Sequence, residues 1–118
     1  MNRGQIPIDN QYELEYRYYD RDATYKYFNR KFEIYLLEKK TVGKTCLLHM
    51  DNCDPTPGKW SPHIHKPPTI DKKLYFPVST LNWGDVKTNL FECIVAEIGD
   101  DHKKNVKKAI AQLTSPKL

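Results

Sequence analysis

The chain has 118 residues, enough for one hydrophobic core but not for two, so we predict a single domain over residues 1–118. No apolar run reaches membrane-spanning length and residues 1–10 lack the apolar stretch of a signal peptide, which argues against a membrane protein and predicts a cytoplasmic location. The net charge of +4 lies in residues 101–118, and three cysteines without a C-x-x-C pair argue against a disulfide framework or a structural zinc finger.

An antiparallel meander of three to four strands is predicted for the first part of the chain. Residues 12–19 alternate tyrosine or leucine with charged residues, which is the period of a strand with one buried face. Residues 25–37 mix aromatic, branched and charged side chains in the same way, and Gly43 belongs to the hairpin turn that follows. Residues 45–51 are the third predicted strand.

The third predicted strand carries the first candidate site residues. Alternation along it places Cys46, Leu48 and Met50 on one face. His49 and Asp51 therefore share the other face. The prolines that follow lack the backbone donor that a sheet requires, so the strand ends before them.

Two more histidines follow in a proline-rich segment, residues 62–68. This segment is predicted to be extended, because residues that precede proline avoid the helical conformation. His63 and His65 would then project to the same side, about 7 Å apart at the backbone. If the segment folds back beside the third strand, His49 converges with them. The alternative is that each histidine is a solvated side chain near a turn.

The clearest helix runs from about residue 82 to residue 98. Residues 74–78 before it fit a short edge strand or an extended connector. Thr80 or Asn82 is the predicted N-cap, and Gly99 ends the helix. Its apolar stripe should cover one face of the sheet, which gives an α+β fold. The stripe consists of Val86, Leu90, Phe91, Ile94, Val95 and Ile98.

A second, basic helix is predicted from about residue 101 to residue 113, with Asp100 or Asp101 as its cap. One side is apolar and the adjoining face is basic. The apolar residues are Val106, Ala109, Ile110 and Leu113. The predicted nucleic-acid-binding residues are Lys103, Lys104, Lys107 and Lys108, together with Lys66. The same lysines also fit a solvated helix face or a surface for an acidic protein partner.

The histidine cluster supports acid–base chemistry on RNA. One imidazole would remove the 2′-hydroxyl proton and a second would protonate the leaving oxygen, while a cation stabilises the charged phosphorane. We predict His63 and His65 as the catalytic pair, assisted by His49 and Asp51. The candidate cations are Lys59 and Lys66.

Two other functions fit the same residues. The reaction above needs no cofactor, but His63 and His65 with His49 or Asp51 would also make a nitrogen and oxygen site for zinc, nickel or manganese. Alternatively, the tyrosine-rich strands and the basic helix form a surface that binds a protein or nucleic-acid partner without catalysis, as in an inhibitor from a virus or mobile element.

The order of these motifs resembles the TumE-type toxins of small bacterial toxin–antitoxin modules. An aspartate–asparagine pair, Asp51 and Asn52, ends a strand, and a proline-histidine-x-histidine segment follows with His63 and His65. The similarity spans about residues 31–98. The resemblance implies a toxin that a small antitoxin neutralises, with these four residues as the matching positions. A toxin-like, RNA-cleaving protein is therefore the favoured expectation.

Overall fold

The computed structural model describes residues 2–21, 28, 30–52, 62–67, 73–75 and 82–116. Within these residues, six strands form one antiparallel sheet in sequence order, followed by two α-helices, so the predicted α+β class is confirmed. The strands are β1 (Asn2–Pro7), β2 (Tyr12–Arg21), β3 (Arg30–Lys39), β4 (Lys44–Asp51), β5 (His63–His65) and β6 (Lys73–Tyr75). The helices are α1 (Trp83–Ile98) and α2 (Lys103–Ala111). The described sheet thus has more strands than the three or four predicted.

The strand β1 was not predicted from the sequence. Its composition is weak for a strand, but it pairs with β2 along its whole length, from Asn2 opposite Tyr18 to Pro7 opposite Glu13. Gly4 lies opposite Tyr16, and a Cβ at Gly4 would stand 2.5 Å from the Tyr16 hydroxyl oxygen. Glycine therefore lets the aromatic ring of β2 lie directly over the edge strand.

The hairpin between β3 and β4 follows the prediction at Gly43. Gly43 has φ +78°, a left-handed conformation that favours glycine, and its carbonyl accepts a hydrogen bond from the Lys40 amide at 3.0 Å. The pairing beyond the turn is irregular, because Leu48 lies opposite Leu36 whereas Cys46 lies opposite Leu37. This bulge moves Cys46 off the face of Leu48, so the predicted common face of Cys46 and Leu48 is wrong.

Both ends of α1 lie where the local signals predict them. The Asn82 side chain accepts a hydrogen bond from the Asp85 amide at 2.8 Å, and Gly99, with φ +101°, follows the last turn. The start of α2 differs from the prediction. A 3-10 turn covers Asp100–His102, and no aspartate caps α2: His102 occupies the N-cap position, and its side chain makes no capping hydrogen bond to α2. The predicted aspartate cap is therefore wrong, because these residues form the connecting turn.

The two helices and the sheet share one hydrophobic cluster. It includes Val86, Leu90 and Ile94 of α1 and the predicted apolar residues of α2, together with Phe32 of the sheet. The indole of Trp83 meets the Phe32 ring edge-on with centroids 5.7 Å apart. Among the described helices, none is long and apolar enough to cross a membrane.

Candidate functional site: a histidine–aspartate cluster

Two neighbouring strands bring the predicted site residues together. The strands β4 and β5 pair antiparallel, with His49 opposite His65 and Asp51 opposite His63. Side chains of directly opposed residues lie on the same face of a sheet, so all four share one face. The residues between them, such as Met50, belong to the hydrophobic cluster on the opposite face. The predicted convergence of the three histidines is confirmed.

The four side chains form one connected chain of polar contacts. Asp51 is its centre: Oδ1 lies 3.0 Å from His63 Nε2, and Oδ2 lies 3.4 Å from His49 Nε2. The other ring nitrogen of His49, Nδ1, lies 3.0 Å from His65 Nε2. The contacts therefore run in the order His63, Asp51, His49 and His65, with each carboxylate oxygen facing a different imidazole.

Burial divides the cluster into an inner and an outer half. Asp51 and His63 are buried, with 6% and 1% of their surface exposed. His49 and His65 are partly exposed. His63, which the sequence predicts as a catalytic residue, is thus enclosed beside Asp51, while His49 and His65 are the partly exposed half of the cluster.

An aromatic residue that the sequence reasoning missed fixes the orientation of His49. The Tyr35 ring stacks on the His49 ring, with centroids 4.4 Å apart and planes 6° apart. The Tyr35 hydroxyl donates a hydrogen bond to Glu33, and the Arg17 guanidinium lies 5.3 Å from the Tyr35 centroid. The sequence signal was the alternation of β3: Tyr35 is on the face opposite Ile34, which is the face that His49 occupies on the neighbouring strand.

The surroundings of His49 favour its neutral form. Burial lowers the pKa of His49, and this effect outweighs the opposing attraction of the Asp51 carboxylate. The Tyr35 hydroxyl stays protonated, because burial and its hydrogen bond to Glu33 raise the pKa of Tyr35. A neutral imidazole keeps one ring nitrogen with a lone pair, which can accept a proton or bind a metal ion.

Part of the cluster also has the spacing of a metal site. One ligand atom from each of His49, Asp51 and His65 lies within 4.8 Å of the others. Two imidazole nitrogens and a carboxylate oxygen are ligands that zinc accepts. His63 is outside this set, so the structure supports a different combination from the His63 and His65 pair on which the sequence hypothesis was based.

The structure describes five of the six lysines predicted to contact or neutralise RNA. Lys66 is exposed, and its ammonium group is 3.0 Å from a Glu97 carboxylate oxygen, so its charge is paired. Lys59, the other candidate cation, lies outside the described residues. The four α2 lysines are exposed, and three of them line a groove of about 880 Å³ between α1 and α2 with Phe91 and Ile110.

Comparison with known proteins gave no significant match to a protein-family model, a curated protein or a solved structure. The fold and the geometry of the side chains are therefore the basis for inferring a function. Together they define a small α+β domain with a histidine–aspartate cluster on the face of the sheet opposite its hydrophobic core.

Proposed function

We propose that this protein is a toxin-like ribonuclease of the cytoplasm that cleaves RNA at the histidine–aspartate cluster. The observation that carries the proposal is the row Asp51, His49 and His65, in which the two imidazoles are 3.0 Å apart and the carboxylate faces the other ring nitrogen of His49. A carboxylate behind an imidazole orients the ring and stabilises its protonated form. The second imidazole extends this proton path to the partly exposed side of the cluster.

The proposed reaction uses the RNA 2′-hydroxyl as the nucleophile. The imidazole pair removes the hydroxyl proton, and the oxygen forms a bond to the adjacent phosphorus. The bond from phosphorus to the 5′-oxygen breaks, its electron pair stays on that oxygen, and a proton from the pair neutralises it. The products are a 2′,3′-cyclic phosphate and a 5′-hydroxyl, and neither water nor a cofactor is consumed in this step.

We assign His63 and Asp51 to positioning rather than to contact with RNA. Both are buried, and the 3.0 Å contact from His63 Nε2 to Asp51 Oδ1 leaves the other oxygen of the carboxylate directed at His49. This arrangement changes the roles expected from the sequence. The outer pair, His49 and His65, performs the proton transfers.

We also propose that α1 covers the hydrophobic face of the sheet, so that the opposite face is the one that meets RNA. The support is the shared core of α1 and the sheet, in which Ile94 and Phe32 are buried, and the contact between the Trp83 and Phe32 rings. A helix packed on one face of an antiparallel sheet leaves the other face to polar residues.

A second candidate function is that of a non-catalytic protein that binds an acidic partner such as a small antitoxin. The groove between α1 and α2 favours this function, because apolar side chains from Phe91 and Ile110 line it together with four lysines, which outnumber its two aspartates. A groove of this kind fits an amphipathic helix with acidic residues along its edges.

Expression in a bacterial host tests the main proposal. The native chain should arrest growth and produce RNA fragments with 2′,3′-cyclic phosphate ends. His65→Ala should lower the cleavage rate of the purified protein at least about 100-fold, the usual contribution of acid–base catalysis. The matched control is His102→Gln, because His102 is bonded to Asp9 outside the cluster. Growth arrest that persists in folded His65→Ala would support the binding function instead.

A further inference from the structure

We infer that His49, Asp51 and His65 form a binding site for one divalent transition-metal ion, and that zinc suits it best. This inference goes beyond RNA cleavage, because the acid–base reaction proposed above needs no metal.

The backbone of the sheet sets the positions of the three ligands. His49 and His65 are directly opposed on paired antiparallel strands, and Asp51 is two residues from His49 on the same face. Such neighbours have their Cβ atoms about 4.5–5.5 Å apart across the strands. The site therefore forms within two hydrogen-bonded strands and does not depend on the closing of a loop.

The distances between the ligand atoms suit a small ion. Zinc lies about 2.0–2.1 Å from nitrogen and oxygen ligands, which places tetrahedral ligands roughly 3.4 Å from one another. The His49 and His65 nitrogens are 3.0 Å apart, and all three ligand atoms lie within 4.8 Å of one another. Asp51 faces His49 Nε2 whereas His65 faces His49 Nδ1, so rotation of the side chains would bring the three ligand atoms to a common ion.

Neighbouring side chains hold two of the ligands as outer partners of metal sites do. His63 Nε2 lies 3.0 Å from one Asp51 oxygen, and Tyr35 stacks on the His49 ring. Partners of this kind fix the orientation of a ligand and raise metal affinity. Three protein ligands leave a fourth position of a tetrahedral ion for water or another small ligand.

Nitrogen and oxygen ligands favour zinc among the common divalent ions. Magnesium and calcium prefer sets made of oxygen alone, whereas imidazole suits zinc and its neighbours in the periodic table. The single carboxylate offsets only part of the charge of the ion, so one ion and not a pair of ions is expected here.

Titration of the metal-free protein with zinc chloride in a calorimeter tests the inference. One zinc ion should bind per chain, and the cobalt complex should have the visible absorption of a four-coordinate ion without a thiolate charge-transfer band. His65→Gln and Asp51→Asn should each weaken zinc binding at least about tenfold. His102→Gln, outside the cluster, should bind zinc as the native chain does. Equal affinity in all variants, a thiolate band, or no binding would overturn the inference.

A measurement on the native chain makes the test independent of how the variants fold. Zinc should shift the ring ¹⁵N resonances of His49 and His65 in long-range proton–nitrogen spectra and leave those of His102 unchanged. Shifts at His102, or unshifted rings at the cluster, would overturn the site. These assays contain no RNA, so a failure of zinc binding and a failure of RNA cleavage are separate results.

Discussion

At the scale of single residues, Asp51 and Asn52 are neighbours in sequence with different roles. Asp51 contacts two imidazoles, whereas Asn52 is buried and joins the strands β3 and β4. Its Oδ1 accepts a hydrogen bond from the Phe32 amide at 3.0 Å, and its Nδ2 donates to the Arg30 carbonyl at 2.9 Å. Asn52 therefore pairs backbone groups of β3 just beyond the end of β4.

Removal of the Asn52 amide should destabilise the fold. Asn52→Ala leaves a buried backbone amide without its acceptor, which costs about 1–3 kcal/mol. Urea unfolding at pH 7 should show this loss as a lower midpoint with an unchanged slope. Asn105→Ala on the exposed side of α2 is the control and should stay within about 0.5 kcal/mol of the native chain. Equal midpoints for the two variants would contradict the role assigned to Asn52.

The Tyr35 ring should matter for the cluster through its stacking and not through its hydroxyl. Tyr35→Phe retains the aromatic face on His49, whereas Tyr35→Leu removes it. We expect cleavage close to native for the phenylalanine variant and a loss of about tenfold for the leucine variant, since a mispositioned base loses rate steeply. Single-turnover rates on a short RNA measure the difference. Equal rates in the two variants would mean that the stacking does not position His49.

At the scale of elements, the sequence predicted those features that a few neighbouring residues determine, such as the ends of a helix. The ends of α1 follow from Asn82 and Gly99, which act within a few residues of the helix. The strand β1 could not be predicted, because its stability comes from pairing with β2 and from the fit of Gly4 under Tyr16. Pattern alone also could not predict the bulge that turns Cys46, since a single extra residue leaves the alternation of the sequence unchanged.

In the candidate site, too, the features set within one strand could be predicted, whereas those set by strand pairing could not. Alternation along the strands predicted that His49 and Asp51 share a face and that His63 and His65 share a face. Which histidine approaches which partner depends on the register of β4 with β5, and that register places His49 opposite His65. The sequence therefore predicted that these residues approach one another, but not that His63 is a buried member of the cluster.

The turn between β1 and β2 should add stability that depends on pH. Asp9 accepts hydrogen bonds from the Gln11 and Tyr12 amides and bonds to His102. Burial raises the pKa of Asp9, but these bonds outweigh it and lower the pKa below its ordinary value of 3.8. The charged form thus stabilises the folded state above about pH 4, and this contribution is lost as the pH falls through the lowered pKa.

Asp9→Asn tests this dependence because it keeps an oxygen acceptor and removes the charge. At pH 7 the variant should be less stable by about 0.5 kcal/mol, a small value because Asp9 is near the surface. At an acid pH below the lowered pKa of Asp9 the difference should shrink, since both chains then have an uncharged side chain at this position. Urea midpoints at the two pH values measure the effect, and a difference that grows in acid would contradict the sign.

At the scale of the whole molecule, the cluster and the basic helix belong to one packed unit. The Tyr18 hydroxyl of β2 donates to the Thr114 carbonyl at 2.7 Å, and the Trp83 indole donates to the Leu113 carbonyl at 3.2 Å. These bonds connect the end of α2 to the sheet and to α1. The α2 lysines therefore have a fixed position relative to the cluster.

The exposed α2 lysines should contribute affinity and not chemistry. Lys104→Gln combined with Lys108→Gln removes two cations that release counterions from single-stranded RNA. The plot of log binding constant against log salt concentration should become shallower by about 1.4, and stability should change little. Fluorescence anisotropy with a labelled RNA measures the slope. An unchanged slope would leave the lysines as a solvated face or as a surface for a protein partner.

Zinc and RNA cleavage should compete, because they use the same ring nitrogens. A proton path through His49 and His65 needs lone pairs that a bound ion would occupy. Cleavage by the purified chain should therefore persist in a chelator and fall when zinc saturates the site, in proportion to the zinc bound in the calorimeter. Loss of activity in the chelator, with recovery on addition of zinc, would replace the proton path by attack of a metal-activated water. The product ends decide between these two reactions independently, because attack by water leaves no cyclic phosphate.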